Sequence, residues 1–308
     1  MPHLAVVIVS WNVRDLLETC LRCLVTDLSA SELPADIWVV DNGSTDGSPR
    51  LVAEAFPQVH LVASRENLGF AAGNNLAIRA ILQNAQQATR NTKYVWLLNP
   101  DTEVQPGATA ALLAALEAHP RVGVAGAKLL YADGSLQQSA FRFPGLVQLA
   151  FELFPLPARF YETPLNGRYP RHLYERETPC LVDHPLGAAM MVRSEAVTQV
   201  GLMDEGYHMY CEEIDWCWRM RRAGWHALCA PSARVIHHAG QSTAQVPIPS
   251  FVNLWTSRAR LYARHHGPVT WTLAQVLVHT GMRRRMRGAA AEMSSACQEV
   301  IQAWEQAR

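Results

Sequence analysis

The chain carries no net charge: 27 lysines and arginines balance 27 aspartates and glutamates over 308 residues. It therefore lacks the global basic field that draws a protein to nucleic acid. It also lacks any apolar run of the ~20 residues a bilayer-spanning helix needs. The longest candidate, 269–282, is interrupted by Gln275 and His279. Seven cysteines, an odd number at irregular spacings, make no disulfide framework. Cys20 and Cys23 have the spacing of a redox pair, but they lie in a stretch of helical periodicity, so core packing is their first reading. From Met1 the chain runs almost directly into a strand pattern, leaving no room for a signal peptide. These absences predict a cytoplasmic protein in a reducing compartment. The fingerprints G-x-G-x-x-G and G-x-x-x-x-G-K-[ST] are missing too, which disfavours a NAD-type or P-loop site. No internal repeat is present.

What the chain does have is an ordered series of buried strands ending in polar residues. Tyr94-Val95-Trp96-Leu97-Leu98 reads as a strand buried on both faces, and Pro100 stops it, leaving Asp101 at its carboxyl edge. Residues 4–9 and 37–40 are strands of the same kind, ending in Ser10-Trp11-Asn12 and in Asp41-Asn42-Gly43. A short third strand, 59–63, leads into Asn67-Leu68-Gly69-Phe70 and a helix expected to run to about Ala88. A helix over 106–118 and a strand near 122–130 follow. Four β-then-α units in sequence predict an α/β fold, a mainly parallel, doubly wound sheet with helices on both faces. Beyond Leu130 the rhythm changes. Residues 132–135 predict a hairpin turn, and 143–179, dense in proline, aromatics and arginine, reads as an irregular excursion over the active face. Small-residue strand 186–193 and a helix capped by Ser194 come next. A helix from Glu212 to Gly224, two short strands (225–229 and 234–237) and an increasingly basic helical extension complete the chain.

Open α/β sheets bind ligands at the carboxyl edges of their strands. There the sequence gathers Asp41 and Asn42, Asn67 through Asn74, and Asn99 with Asp101. The Gly69 segment offers backbone N–H groups and a helix N-terminus suited to phosphate oxygens. Blander roles compete: Asp101 as a helix cap, residues 41–47 as turn chemistry. A second group lies later, at Glu212, Glu213, Asp215 and His237. A helix N-terminus favours acids, and Asp215 with Arg219 is an i,i+4 pair, so structure alone accounts for part of it. Adjacent glutamates beside Tyr210, Trp216 and Trp218 would sit in a semi-apolar wall that raises a carboxylate pKa and poises it as a base. Asp101 and His237 would offer oxygen and nitrogen ligands to Mg²⁺ or Mn²⁺.

The strings V-V-D-N-G-S-T-D-G-S, E-N-L-G-F-A-A-G-N-N, L-L-N-P-D-T, G-A-A-M-M-V-R, Y-C-E-E-I-D-W-C-W-R-M-R-R-A-G and V-I-H-H resemble, in that order, the inverting family 2 glycosyltransferases of the GT-A fold. The resemblance spans Leu4 to about Ser242 and is nearest the bacterial rhamnosyltransferase-type members, which build cell-surface polysaccharides. It implies that Asp41 and Asn42 read a uracil or thymine base, and that Ser10 and Trp11 line its pocket. Asn67, Gly69 and Asn74 would hold ribose and diphosphate. Asn99-Pro100-Asp101 stands where the family has its D-x-D metal motif, with only the last acid kept. Glu213 falls where many relatives carry an aspartate as general base, one methylene (~1.5 Å) longer here. Glu212 or Asp215 could share that role.

The resemblance further implies residues 1–245 as a GT-A domain, with a nucleotide-sugar half (1–130) and an acceptor half (131–245). Residues 246–308 form a helical basic extension. The partners would be a UDP- or dTDP-linked sugar and a saccharide or lipid-linked acceptor, with no nucleic acid. The segment 269–287, apolar then basic, is weighed equally as a peripheral membrane contact, at the inner face of the cell membrane, and as a solvated helix. A sugar nucleotidyltransferase and a non-catalytic carbohydrate-binding member of the same fold are the rival readings.

Overall fold

The computed structural model describes residues 3–87, 92–154, 156–161, 163–241 and 243–308. Ala88 and Ser242, two of the boundaries named above, lie outside the described residues. The first half holds β1 (His3–Ser10), α1 (Arg14–Ala30), β2 (Ala35–Asp41), α2 (Ser48–Ala55), β3 (His60–Ala63), α3 (Phe70–Gln87) and β4 (Thr92–Leu98). After the 99–101 turn come β5 (Thr102–Val104), α4 (Ala108–Ala118) and β6 (Val122–Leu130). The 131–135 turn then folds β7 (Leu136–Gln137) back on β6, with Leu130 opposite Leu136, as the turn residues predict.

The irregular excursion is more ordered than its composition suggests. It and its flanks hold β8 (Ala140–Phe141), α5 (Leu146–Leu153), α6 (His172–Glu175), β9 (Cys180–Val182) and β10 (His184–Pro185). Next are β11 (Ala189–Arg193), α7 (Ser194–Val200), α8 (Glu212–Arg222) and β12 (His226–His237). The chain closes with α9 (Pro247–His265), α10 (Pro268–Met286) and α11 (Ala291–Gln306). Two local expectations are corrected. Ser194 is the first residue of α7 rather than its cap, and its buried Oγ has no hydrogen-bond partner. The two short strands expected around Pro231 are one, β12, because the ladder absorbs the proline at a register shift between Ala230 and Arg234.

The main sheet runs β3-β2-β1-β4-β11-β6-β12-β5. β3, β2, β1 and β4 are parallel, β11 lies antiparallel between β4 and β6, and β12 is parallel to β6. Alternation along β1 explains the two cores: Leu4, Val6 and Ile8 face the side of α1 and α4, while Ala5, Val7 and Val9 face that of α3. β4 contributes to both, with Tyr94, Trp96 and Leu98 on one side and Val95 and Leu97 on the other. The last three helices pack round their own cluster, where Trp255, Trp271 and Trp304 are all buried and Leu149 of α5 joins them. Among the described residues no helix is long and apolar enough to cross a membrane.

Candidate active site

β1, β2 and β4 all deliver their carboxyl ends to one edge, where a cavity of about 260 Å³ opens. From the first half of the chain it is lined by Ser10, Trp11, Asn42, Asn67, Asn99 and Asp101. From the second half come Gly187, Tyr210, Glu212, Glu213 and His237. Residues more than a hundred positions apart thus meet in one space. The sheet explains how. β5 turns back from Asp101 and pairs antiparallel with β12, setting Thr102 opposite His237, and the His238 N–H donates to the Asp101 carbonyl at 2.9 Å.

That pairing brings His237 Nε2 to 3.4 Å from Asp101 Oδ1, both residues being buried. On the other side of the ring, Nδ1 stands 3.0 Å from Gln137 Oε1. In the tautomer that donates from Nδ1 to that amide oxygen, the Nε2 lone pair faces the carboxylate. In that tautomer the oxygen–nitrogen pair suits a shared Mg²⁺ or Mn²⁺. Among the described residues no group of three or more His, Cys, Asp or Glu is placed to hold a metal ion. Such an ion would therefore take its other ligands from substrate and water. Asp101 is not a helix cap. β5 separates it from α4, whose first turn is capped by Asp27, accepting from the Thr109 N–H at 3.0 Å.

Several polar atoms of the wall are left over. Ser10 Oγ, Asn42 Oδ1, Asn99 Oδ1 and Glu212 Oε2 are buried without a hydrogen-bond partner. Buried polar atoms are nearly always satisfied, so four around one cavity mark a polar ligand. The backbone is strained beside the same wall: Asn12, Tyr210, Cys211 and Ala239 all have positive φ, at 51°, 70°, 69° and 45°.

Glu212 and Glu213 open α8 and face the cavity. Burial pushes the Glu213 carboxyl up to about 7. Burial first, then the charge of Glu213, pushes Glu212 well above the usual carboxylate range. Gly187 lies opposite, where an added Cβ would come 3.5 Å from Glu213 Cβ and Cγ, an ordinary packing contact.

Asp215 does not join them. Two residues on, it points about 200° round the helix. It is fully buried against α9, where Nε2 of His265 lies 2.7 Å from one oxygen and Arg219 Nε donates to the other at 2.7 Å. Burial opposes its charge, but those two bonds prevail and hold its carboxyl below the ordinary range. The semi-apolar wall is corrected as well. Trp216 is in the core with its indole N–H on the Gly201 carbonyl, and Trp218 stacks between Phe143 and His265. Of the three aromatics only Tyr210 lines the cavity.

Of the other candidates, Asn42 and Asn67 line the cavity, and Asp41, Gly69 and Asn74 lie outside its lining. Asp41 Oδ2 accepts from the Ser44 N–H, while its buried Oδ1 has no partner. Asn42 donates to the Gly69 carbonyl, Asn67 Oδ1 accepts from the Gly69 N–H, and Asn74 donates to the Phe70 carbonyl. Gly69 has φ +82°, and a Cβ there would stand 2.2 Å from the His208 carbonyl oxygen, so close backbone approach demands glycine. Sequence reasoning missed Gln137 and Gly187. Gly187 was visible inside the small-residue string, whereas Gln137 reaches His237 only through the β6–β7 hairpin.

A family model described as Glycosyl transferase family 2 matches residues 5–201. The chain is 32% identical over 284 residues to the N-acetylglucosaminyl-diphospho-decaprenol L-rhamnosyltransferase of Mycobacterium tuberculosis (strain ATCC 25618 / H37Rv), covering 86% of this chain and 91% of that one. It is 26% identical over 175 residues to the rhamnosyltransferase WbbL of Escherichia coli (strain K12), covering 56% and 61%. Among solved structures it resembles GalNAc-T7 with UDP, GalNAc and Mn²⁺, at TM-score 0.60 and 14% identity, covering 99% of this chain but only 56% of that one. It also resembles the mannosyltransferase PcManGT from Pyrobaculum calidifontis in complex with GDP-Man and Mn²⁺, at TM-score 0.56 and 15% identity, covering 99% and 87%. The sequence resemblance, the mainly parallel sheet with its helical carboxyl-terminal region and these matches agree: the chain belongs to glycosyl transferase family 2 and is a glycosyltransferase of the GT-A fold.

Proposed function

We propose that the chain moves a hexose, rhamnose first among the candidates, from a UDP- or dTDP-linked donor to a hydroxyl of a lipid-linked saccharide, with inversion. The mycobacterial relative's name supports the sugar and the kind of acceptor. The observation that carries the reading is the meeting of Glu213, held near neutrality, with the Asp101–His237 pair and the unpartnered oxygens of one cavity.

Each side chain then has a task. Ser10, Trp11 and Asn42 contact the base and ribose, and Asn67 and Asn99 the sugar and diphosphate side. Gly69 holds Asn42 and Asn67 in place, while Asp41 and Asn74 fix the adjoining turn and helix start through Ser44 and Phe70. Asp101 and His237 would hold Mg²⁺ or Mn²⁺, and a bound ion neutralises charge on a departing nucleoside diphosphate. Glu213 takes the proton of the acceptor hydroxyl as its oxygen bonds to the anomeric carbon and the bond to diphosphate breaks on the opposite face. Glu212, protonated, keeps a second negative charge away from the base.

The domain reading stands as part of the proposal, with residues 1–130 serving the donor, 131–245 the acceptor and 246–308 as extension. A membrane contact belongs to it too. Val269, Leu273 and Val276 of α10 are 74%, 48% and 58% exposed, and their spacing continues into Arg283 and Arg284 on the same side of the helix.

The test is release of nucleoside diphosphate from UDP- and dTDP-sugars with Mn²⁺ and acceptor. Asp101→Ala and Glu213→Gln should each abolish transfer. A wild-type chain that binds the donor yet never turns it over would be the non-catalytic member instead.

A further inference from the structure

Two cysteines far apart in the chain face each other on neighbouring strands. β9 pairs antiparallel with β12, and the register sets Cys180 opposite Cys229, with Val182 opposite Ala227. Directly opposed residues of an antiparallel pair have Cα atoms about 4.5–5.5 Å apart, within the roughly 4.4–6.8 Å that a disulfide bridges. Their side chains also leave the sheet on the same face. Leu181, between them in phase, points outwards and is 57% exposed, while Cys229, Val182 and Ala227 are buried in one cluster with Cys180 packed against it. No strand pairs with the far side of β9, so Cys180 sits on a sheet edge, half-buried, with Cys229 behind it.

The two sulfurs are chemically unequal. A hydrogen bond from the Cys229 side chain outweighs burial and brings the Cys180 thiol down to about 7. That same bond, then burial, pushes Cys229 well above the usual thiol range. An attacking thiolate at the edge therefore has a protonated partner in reach. The remaining cysteines are not arranged this way. Cys20 is turned into the core, where its thiol donates to the Asn99 carbonyl at 3.5 Å and burial holds it up at about 12. Cys23, the other half-buried cysteine, is raised by burial and by the charge of Glu103. The C-x-x-C spacing on α1 thus makes no reactive pair, and the cross-strand couple does.

We propose that Cys180 and Cys229 form a redox-active dithiol that peroxide converts to a disulfide, tying β9 to β12. The Cys180 thiolate attacks one oxygen of hydrogen peroxide; the S–O bond forms, the O–O bond breaks, and the departing hydroxide takes up a proton as water. The Cys229 sulfur then gives up its proton and displaces the hydroxyl from Cys180 as a second water, so two thiols are oxidised and one peroxide is reduced to two waters. The closed loop, 180–229, contains β10, β11, α7 and α8, and with them Gly187, Glu212 and Glu213. Oxidation would staple the segment that carries these residues to the strand that ends in His237. The proposal stands independently of the sugar-transfer reading.

The experiment exposes the folded chain to a few equivalents of hydrogen peroxide at pH 7, blocks remaining thiols by alkylation and maps the digest by mass spectrometry. Wild type should yield one linked peptide pair, Cys180 with Cys229, and five alkylated cysteines. Cys180 should be consumed at least about fivefold faster than Cys23, the thiolate fraction deciding the order. The oxidised chain should melt on the order of 5 °C higher, as closing a loop of that length predicts, and dithiothreitol should reverse the shift. C229S should accumulate sulfenic acid at Cys180, trapped by a cyclic 1,3-dione. C180S, altered only at the sheet edge, should keep Cys229 as a thiol and show no peroxide-dependent melt. A Cys20–Cys23 link, oxidation of Cys180 that never captures Cys229, a Cys180 no faster than Cys23, or a link that leaves the melt unmoved would each overturn the proposal.

Discussion

Replacing Glu213 by glutamine should remove activity and raise stability together, and the two effects share one origin. Burial brings the carboxyl to about 7, against an unperturbed value of 4.5. About 3% of it is ionised at pH 5.5, half at pH 7 and about 97% at pH 8.5. If it is the base, turnover at saturating substrates should climb about thirtyfold across that span, with its midpoint near 7. In E213Q the rate should fall by 10²–10⁴-fold and the climb should disappear. Stability moves the other way. Between pH 4.5 and about 7 the unfolded chain has already lost a proton that the folded chain keeps, so folding weakens as pH rises through that window. Above pH 7 the full cost, on the order of 3 kcal/mol, is in place, and E213Q does not carry it. Calorimetric melts at pH 8 should therefore place E213Q several degrees above wild type, and melts at pH 4 should bring the two together. A wild-type rate that is flat from pH 5.5 to 8.5, or an E213Q that is both inactive and less stable at pH 8, would refute the assignment.

Asp101→Asn and His237→Ala should raise the Mn²⁺ concentration needed for half-maximal rate, and Gln137→Leu should raise it about tenfold by releasing the imidazole; a Gln137→Leu enzyme with the wild-type Mn²⁺ titration would sever Gln137 from the ion. Gly69→Ala places a Cβ 2.2 Å from the His208 carbonyl oxygen at a φ of +82°, so its melting temperature should drop and nucleotide affinity with it. An unshifted melt would show that the backbone can yield there. Asp215→Asn leaves His265 and Arg219 without their counter-charge and should cost roughly 3 kcal/mol in urea titrations at neutral pH. The folded carboxyl lies below the ordinary range, so that difference is present above the unfolded value and shrinks as pH falls through the folded one, whereas the pH profile of turnover should keep its midpoint. Val269→Asp with Leu273→Asp should abolish sedimentation with vesicles of anionic phospholipid; wild type that stays in the supernatant would remove the membrane contact.

The sheet was legible because its strands are apolar on both faces and each ends in a turn-forming polar string. Asp101, His237 and Glu213 were legible as types, but nothing in their spacing says that β5 folds back beside β12, which is what brings the first two together. Asp215 misled for a simple reason: adjacency in sequence does not mean adjacency on a helix, and two residues reverse the direction of a side chain. α5 was hidden because aromatic and proline-rich flanks blur a pattern only eight residues long.

The antiparallel insertion of β11 governs how the molecule can be made. β4 and β6 never touch as ladder partners; both wait for residues 189–193. A nascent chain released at residue 188 would carry two unsatisfied apolar edges in the middle of its future sheet, ready to capture strands from other copies. Cutting this enzyme into separate donor-side and acceptor-side proteins should accordingly give aggregates, and the halves should become soluble only when expressed together.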